Sequence, residues 1–348
     1  MPTPVVSVLM PVRNGARFLA EAVASVLASS ERGLELIVVD DGSTDASPAI
    51  IAAAQRVDER IVALAQPRLG LVAALELARS RARAPYLARL DADDLASPDR
   101  FARQLERFES DSDLVLLGTA MDRIDAAGRR IGQFAYPEAH DALMQALWRR
   151  NPFVHSSIMM RASAAGAAGG YRAFFAEAED YDLWLRLSER GTVANLPEAL
   201  GSARTHADTV TARAGLRQAF SVALARHCTR ARRAGKPDPA TGLTQPLDLD
   251  DGGDDGSFAG VIRLFRALAF SDEATFGRRA PTSGDIDAIA SASWGDRREV
   301  TLAQTALLNI LRRRSVPKPV ARLRVAATLV RLDPWRALRL VFGDSRKP

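Results

Sequence analysis

Leu34-Glu35-Leu36-Ile37-Val38-Val39-Asp40-Asp41-Gly42-Ser43-Thr44-Asp45-Ala46-Ser47-Pro48 is the stretch that decides the fold. The run Leu34–Val39 reads as a buried strand that ends in acids, and Gly42 permits a tight turn after it. Ser47-Pro48 then has the signature of a helix N-cap followed by proline in the first turn. The same strand–turn–helix unit recurs on both sides. Upstream, Val5–Met10 is a strand, and Ala16–Ala28 carries its apolar residues at helical spacing. Downstream come a strand at Ile61–Ala65, a helix at Gly70–Arg83 and a strand at Tyr86–Leu90 that again ends in acids. Ser97-Pro98 repeats the cap signature before a helix to Ser110, and Leu114–Thr119 is a fifth strand. Strands alternating with helices predict an α/β fold with a mostly parallel central sheet and helices on both faces. Such sheets bind ligands beyond the carboxyl ends of their strands, where Asp40-Asp41 and Asp91-Ala92-Asp93-Asp94 fall.

The middle of the chain is mixed: a hairpin at Arg129–Tyr136, a helix at Glu138–Arg149, a strand at Ser156–Met160 and a helix at Asp180–Glu189. From Thr211 the pattern turns helical. The expected division is therefore 1–210 and a helical C-terminal region, 211–348. The latter is interrupted by a flexible acidic loop near 236–257, with Asp248, Asp250, Asp251, Asp254 and Asp255 among glycines and prolines. That loop lacks EF-hand spacing and reads as solvated.

The chain has 348 residues, 47% apolar and 26% charged, with a net charge of +5. No run reaches the roughly 18 apolar residues of a membrane span. No signal peptide is expected, and the single cysteine, Cys228, fits a reducing cytoplasm. The charge is uneven. From Thr301 onward eleven basic residues face only Asp333 and Asp344, a net +9, which leaves the preceding residues at −4. A nucleic-acid partner for the whole protein is not expected. The segment Val320–Leu332 mixes arginines with apolar residues. It either lies on an anionic bilayer as a basic amphipathic helix or packs on the rest of the chain with its arginines in solvent.

Asp91 and Asp93, one residue apart after a strand, suit a divalent cation that takes its other ligands from phosphate. Asp94 and Asp99 have an alternative reading as charges at a helix N-terminus. The acids of Glu179-Asp180-Tyr181-Asp182 open an amphipathic helix. They either complement its dipole or supply a general base, with crowding raising and the helix terminus lowering their pKa.

Taken in order, Ser7-Val8-Leu9-Met10-Pro11-Val12-Arg13-Asn14, Val39-Asp40-Asp41-Gly42-Ser43-Thr44-Asp45, Leu90-Asp91-Ala92-Asp93-Asp94 and Glu179-Asp180-Tyr181-Asp182-Leu183-Trp184 resemble the family 2 glycosyltransferases of GT-A fold, over roughly Val5 to His206. The resemblance implies a metal-dependent, inverting enzyme that binds a nucleoside diphosphate sugar at the first half-sheet. Pro11 and Arg13 then border the donor, with Arg13 standing where many members have an aromatic residue. Asp41 contacts the base, and Asp91 lies against the ribose or diphosphate. Asp93, with Asp91, holds Mn²⁺ or Mg²⁺, and Asp180 is the base. His155, Glu179 and Trp184 fall on the acceptor side, although a structural role for His155 is equally open. Arg204 and His206 are implied to reach the diphosphate.

The Gln-x-x-Arg-Trp motif of processive members is not matched by Gln145-Ala146-Leu147-Trp148-Arg149, so transfer of one sugar per encounter is expected. The expected acceptor is a saccharide or lipid-linked saccharide of cell-surface polysaccharide or glycolipid synthesis. The expected location is cytoplasmic, with a peripheral contact at the inner face of the plasma membrane if the basic tail binds lipid. A non-catalytic nucleotide-sugar-binding protein on the same fold is the alternative; retention of Asp91, Asp93 and Asp180 speaks against it. A dinucleotide-dependent oxidoreductase lacks its Gly-x-Gly-x-x-Gly after the first strand.

Overall fold

The computed structural model describes residues 3–175, 177–205, 216–247, 256–259 and 261–262. The chain divides into two compact units, Met1–Ala214 and Gly215–Pro348. The first unit opens with β1 (Val6–Val12), α1 (Leu19–Leu27), β2 (Leu34–Asp41), α2 (Ser47–Val57), β3 (Ile61–Gln66), α3 (Leu71–Arg81) and β4 (Tyr86–Arg89). Every residue of β1 and β2 is buried, as parallel strands covered on both faces require. β1 pairs in parallel with β2 on one side and β4 on the other, and β2 with β3. The chain therefore reverses its direction of sheet growth between β1 and β4. The crevice at such a switch point is where doubly wound sheets bind ligands.

β5 (Leu95–Ala96), α4 (Arg100–Glu109), β6 (Leu114–Ile124), β7 (Arg130–Phe134), α5 (His140–Leu147), β8 (Met159–Arg161), α6 (Ala162–Ala167), α7 (Glu179–Leu187) and β9 (Thr192–Arg204) complete the unit. The strand order is β3-β2-β1-β4-β8-β6-β9-β5, with β7 paired to β6. The parallel N-terminal half agrees with the sequence reading. β8 enters antiparallel between β4 and β6, and β5 pairs antiparallel with β9. Both departures matter for the site. β8 brings the 3₁₀ turn His155–Ser157 beside the end of β4, where Arg89 N donates to Ile158 O at 3.1 Å. The β5–β9 pair brings Arg204 to the loop after β4.

Two local expectations are corrected. Ser47 is not an N-cap but the first residue of α2. The N-cap position is Ala46; the Ser47 N–H donates to Asp45 Oδ1 (2.9 Å), while Ser47 Oγ accepts from Gly15 N (3.0 Å). Ser97 likewise lies outside α4, whose N-cap position is Asp99. Short polar side chains near a helix start compete for the same donors, and spacing alone does not choose among them.

In the second unit α8 (Leu216–Arg233) buries Phe220, Leu224 and Cys228, and Arg232 pairs with Asp238 at 2.7 Å. Among the described residues no helix is long and apolar enough to cross a membrane. The basic segment after Thr301 and the acidic residues 248–255 lie outside the described residues.

Gly118 shows how tightly β6 and β9 pack beneath the site. A Cβ there would lie 2.1 Å from Asn195 Oδ1 and 2.8 Å from the Phe153 ring. Asn195 Nδ2 in turn donates to Pro137 O and Pro152 O, fixing the segment that leads to His155. Gly118→Ala is expected to cost about 1–3 kcal/mol. It should appear as a lower midpoint of urea unfolding with the slope unchanged; an unmoved midpoint would show that this contact relaxes freely.

Candidate active site

The loop Asp91–Asp94 joins β4 to β5 and is held from several directions. Arg89, the last residue of β4, grips both oxygens of Asp91 with its two terminal nitrogens. Its Nη1 also donates to Ser156 Oγ at 2.8 Å; that hydroxyl accepts from Asp91 N (3.0 Å) and donates to Asp91 Oδ2 (3.1 Å). Arg100, fully buried at the start of α4, donates to Arg89 O (2.9 Å) and Ile158 O (3.1 Å). Asp94 Oδ1 accepts from Arg204 N at 2.7 Å.

One oxygen from each of Asp91, Asp93 and Asp94 falls within a 4.8 Å cluster. Burial, then the charges of Asp91 and Asp93, push the Asp94 carboxyl up to about 8. Three carboxylates held this close, one of them nearly enclosed, form a donor set of hard oxygens that suits a Mg²⁺- or Mn²⁺-like cation. A cation there would also relieve their mutual repulsion.

The donor side is built from the ends of β1 and β2. Pro11 is buried within β1, and Arg13 is exposed just beyond it. Asn14 takes a left-handed conformation (φ 52°). Its N–H donates to Ser43 Oγ (2.9 Å), and its Oδ1 accepts from Thr44 N (2.8 Å). Ala16 N donates to Asp45 Oδ2 at 2.9 Å, so the two loops are stitched together. Gly42 (φ +66°) makes the turn, and a Cβ there would lie 2.9 Å from Arg68 N. Asp41 Oδ1 accepts from Gln66 Nε2 (2.7 Å), Leu69 N (2.8 Å) and Gly70 N (3.1 Å), and Oδ2 accepts from Gly70 N (3.0 Å). Asp41 thus fixes the turn that leads into α3, and Oδ2 keeps spare acceptor capacity.

On the acceptor side Glu179 and Asp180 start α7. Glu179 is buried, and burial followed by the Asp180 charge pushes its carboxyl up to about 8. Asp180, half-buried, accepts from Asn151 Nδ2 (2.7 Å) and Tyr181 N (2.6 Å); burial raises its pKa, against those bonds and the Arg89 charge. His155 Nε2 and Tyr171 Oη are 2.9 Å apart, and both rings meet Trp184 edge-on. Burial, then the Arg89 charge, holds the His155 imidazole well below its usual pKa, so it is neutral at pH 7. Asp182, fully buried, is paired by Arg172 and Arg186, and Arg186 also donates to Gly170 O (2.7 Å), which fixes the loop carrying Tyr171.

Two of the expected groups, the acidic loop and the start of α7, share a neighbour. Arg89 is the link, because its charge acts on Asp91 and Asp94 on one side and on Glu179 and Asp180 on the other. Two expectations change. Arg204 does not point freely at a ligand: its Nε donates to Asp93 O (2.9 Å), its Nη2 pairs with Glu21 (2.9 Å), and its guanidinium lies 4.4 Å from the Phe18 ring centroid. It supports the acidic loop. Trp184 is fully enclosed, so it backs His155 and Tyr171 and cannot touch an acceptor. His206 lies outside the described residues.

Sequence reasoning passed over Arg89, Ser156 and the buried position of Asp94. An arginine closing an otherwise apolar strand two residues before an acid was the available signal for Arg89. Nothing in sequence spacing joins Ser156 to Asp91.

The family model described as Glycosyl transferase family 2 matches residues 7–179. The putative glycosyltransferase EpsE of Bacillus subtilis is 38% identical over 210 residues, covering 59% of this chain and 74% of that protein. The amylovoran biosynthesis glycosyltransferase AmsE of Erwinia amylovora is 34% identical over 185 residues, covering 52% of this chain and 68% of that protein. Among solved structures, S. aureus TarS 1–349 in complex with UDP-GlcNAc aligns with a TM-score of 0.59 at 14% identity, over 95% of this chain and 91% of that one. The mannosyltransferase PcManGT of Pyrobaculum calidifontis, in complex with GDP-Man and Mn²⁺, aligns with a TM-score of 0.51 at 14% identity, over 98% and 88%. These two likenesses concern the fold. The sequence relatives carry the assignment, and the chain belongs to glycosyl transferase family 2, as an enzyme that transfers a sugar from a nucleotide-sugar donor.

Proposed function

We propose that this chain moves one sugar per encounter from a nucleoside diphosphate sugar to a hydroxyl of a saccharide or lipid-linked saccharide, with inversion, in the synthesis of a cell-surface polysaccharide. The observation that carries this reading is the Asp91, Asp93 and Asp94 carboxylate cluster, held at the end of β4 by Arg89 and Ser156. The amylovoran assignment of AmsE supports a polysaccharide acceptor, and the UDP-GlcNAc and GDP-Man complexes support the donor class. Work at the cytoplasmic side, with the basic tail on the membrane surface, belongs to the same proposal.

In this reading Pro11, Arg13 and Asp41 border the nucleoside, with Arg13 laid on the base and Asp41 Oδ2 accepting from it. Asp93, Asp91 and Asp94 would hold the divalent ion. When bound, that ion neutralises charge on the diphosphate leaving group, a contribution of several kcal/mol. Asp180 takes the acceptor proton as the hydroxyl oxygen bonds to the anomeric carbon from the face opposite the breaking bond to the diphosphate. Asn151 and Tyr181 N orient that carboxylate. Neutral His155 and Tyr171 form the wall beside it, backed by Trp184.

Asp180→Asn is expected to lower kcat by about 10²–10⁴-fold. Thermal stabilisation by donor should persist, and undiminished transfer would exclude Asp180 as the base. The pH dependence has a definite sign. Asp180 must be ionised to accept a proton and its pKa is raised, so kcat/KM should climb with pH along a limb above the ordinary Asp value of about 3.9. Asn151→Ala removes a hydrogen bond that favours the charged form, so the limb should move to higher pH; a limb that stays put would detach Asn151 from the base. For the ion, chelation should abolish transfer and Mn²⁺ or Mg²⁺ restore it. Asp93→Asn should raise the Mn²⁺ concentration needed for half-activation, and activity indifferent to chelators would remove the metal from this reading.

A further inference from the structure

Arg89 touches the acidic loop directly with its side chain only 2% exposed, as little as Arg204 behind the loop. Taking a guanidinium out of water is costly unless its N–H groups are used, and with Nε unpartnered the two terminal nitrogens carry the hydrogen bonding of Arg89. Here both terminal nitrogens meet the two oxygens of Asp91, a planar two-point contact that lysine cannot reproduce. Ser156 Oγ closes the arrangement, touching Arg89 Nη1, Asp91 N and Asp91 Oδ2 at 2.8, 3.0 and 3.1 Å. The strand end carrying Arg89 is itself pinned, since Arg100 Nη2 donates to Arg89 O at 2.9 Å.

We propose that Arg89 is a positioning residue for sugar transfer: together with Ser156 it fixes the Asp91 carboxylate and so anchors the cation-binding loop on the end of β4. The inference rests on the catalytic reading above. The Arg89 charge acts on Asp91 and Asp94 from the loop, on His155 from the 3₁₀ turn, on Tyr171, and on Glu179 and Asp180 from α7. Asp180 itself faces Glu179, Tyr171, Asn151 and Arg89. Arg89 thus contributes in two separable ways. Its planar fork orients Asp91, and its charge favours the ionised form of Asp180.

The test uses the full chain and two readouts. One is Mn²⁺ affinity, from loss of the free-ion EPR signal in the presence of UDP and, separately, GDP. The other is the position of the acid limb of kcat/KM. Partners that orient a metal ligand typically contribute about 10–100-fold to metal affinity. Arg89→Met is expected to weaken Mn²⁺ binding by that factor and to move the limb to higher pH. Arg89→Lys keeps the charge and loses the fork, so the limb should return toward the native position while Mn²⁺ affinity stays low. Ser156→Ala should weaken Mn²⁺ binding with the limb unmoved.

Native Mn²⁺ affinity and an unmoved limb in Arg89→Met would overturn the proposal. Identical behaviour of the Lys and Met variants in both readouts, with a matching fall in melting temperature, would also overturn it as the mark of a merely structural residue. Should Arg89→Met fail to fold, Arg89→Lys and Ser156→Ala decide the matter: native Mn²⁺ affinity in both rejects the clamp. Asp180→Asn separates the two levels. Retained transfer in that variant rejects the base assignment, while the EPR readout still judges Arg89.

Discussion

Carboxylates removed from water cost several kcal/mol each unless donors or cations compensate them. Asp94 and Glu179 are buried, and Asp91, Asp93 and Asp180 are half-buried, within one neighbourhood. Two of them are pushed to about 8. An assembly of this kind persists because Arg89 supplies a charge, Ser156, Asn151 and the Arg204 N–H supply hydrogen bonds, and the loop offers the remaining acid oxygens to a cation. Structure that looks decorative elsewhere in the unit, such as the unusual burial of Arg100, follows from the need to keep these groups at fixed distances.

The sheet solves that positioning problem by mixing strand directions. Its parallel half, β3-β2-β1-β4, delivers four strand ends to one edge, which places the donor side and the acidic loop. A purely parallel continuation would carry the next strand ends to the same edge by helical crossovers. Instead β8 runs antiparallel beside β4, so the turn before it arrives at the site and contributes His155 and Ser156. Backbone direction brings this turn to the acidic loop, where Ser156 meets Arg89 and Asp91.

The parallel half was legible because its signals are local. Leu34–Val39 ending in acids, and the apolar spacing of the first helix, need only a few residues to be read. The motif acids Asp91, Asp93 and Asp180 were legible for the same reason. Long-range pairings were not. The β5–β9 pairing involves two residues, Leu95 and Ala96, too few for any periodicity to register. Arg204 was identified as a site residue, but its partners, Glu21 and Asp93 O, lie more than a hundred residues away, so its direction was read as pointing at ligand. Trp184 was placed correctly on α7, yet sequence cannot say that its indole is enclosed on every side. Asp94 was ambiguous between helix charge and site acid, and only the burial of the loop resolves it.

Arg204 sits 25 positions beyond the last residue of the family match, 179, and still holds Asp93 and Asp94 from behind. Thr205 N continues the same attachment by donating to Ile124 O at 2.8 Å. The functional boundary of the transferase module therefore lies past the end of β9, not where recognisable sequence stops. Chimeras that exchange acceptor-side segments among relatives must keep the first-unit residues through Thr205 as one piece, or the acidic loop loses its rear support while every signature motif remains intact.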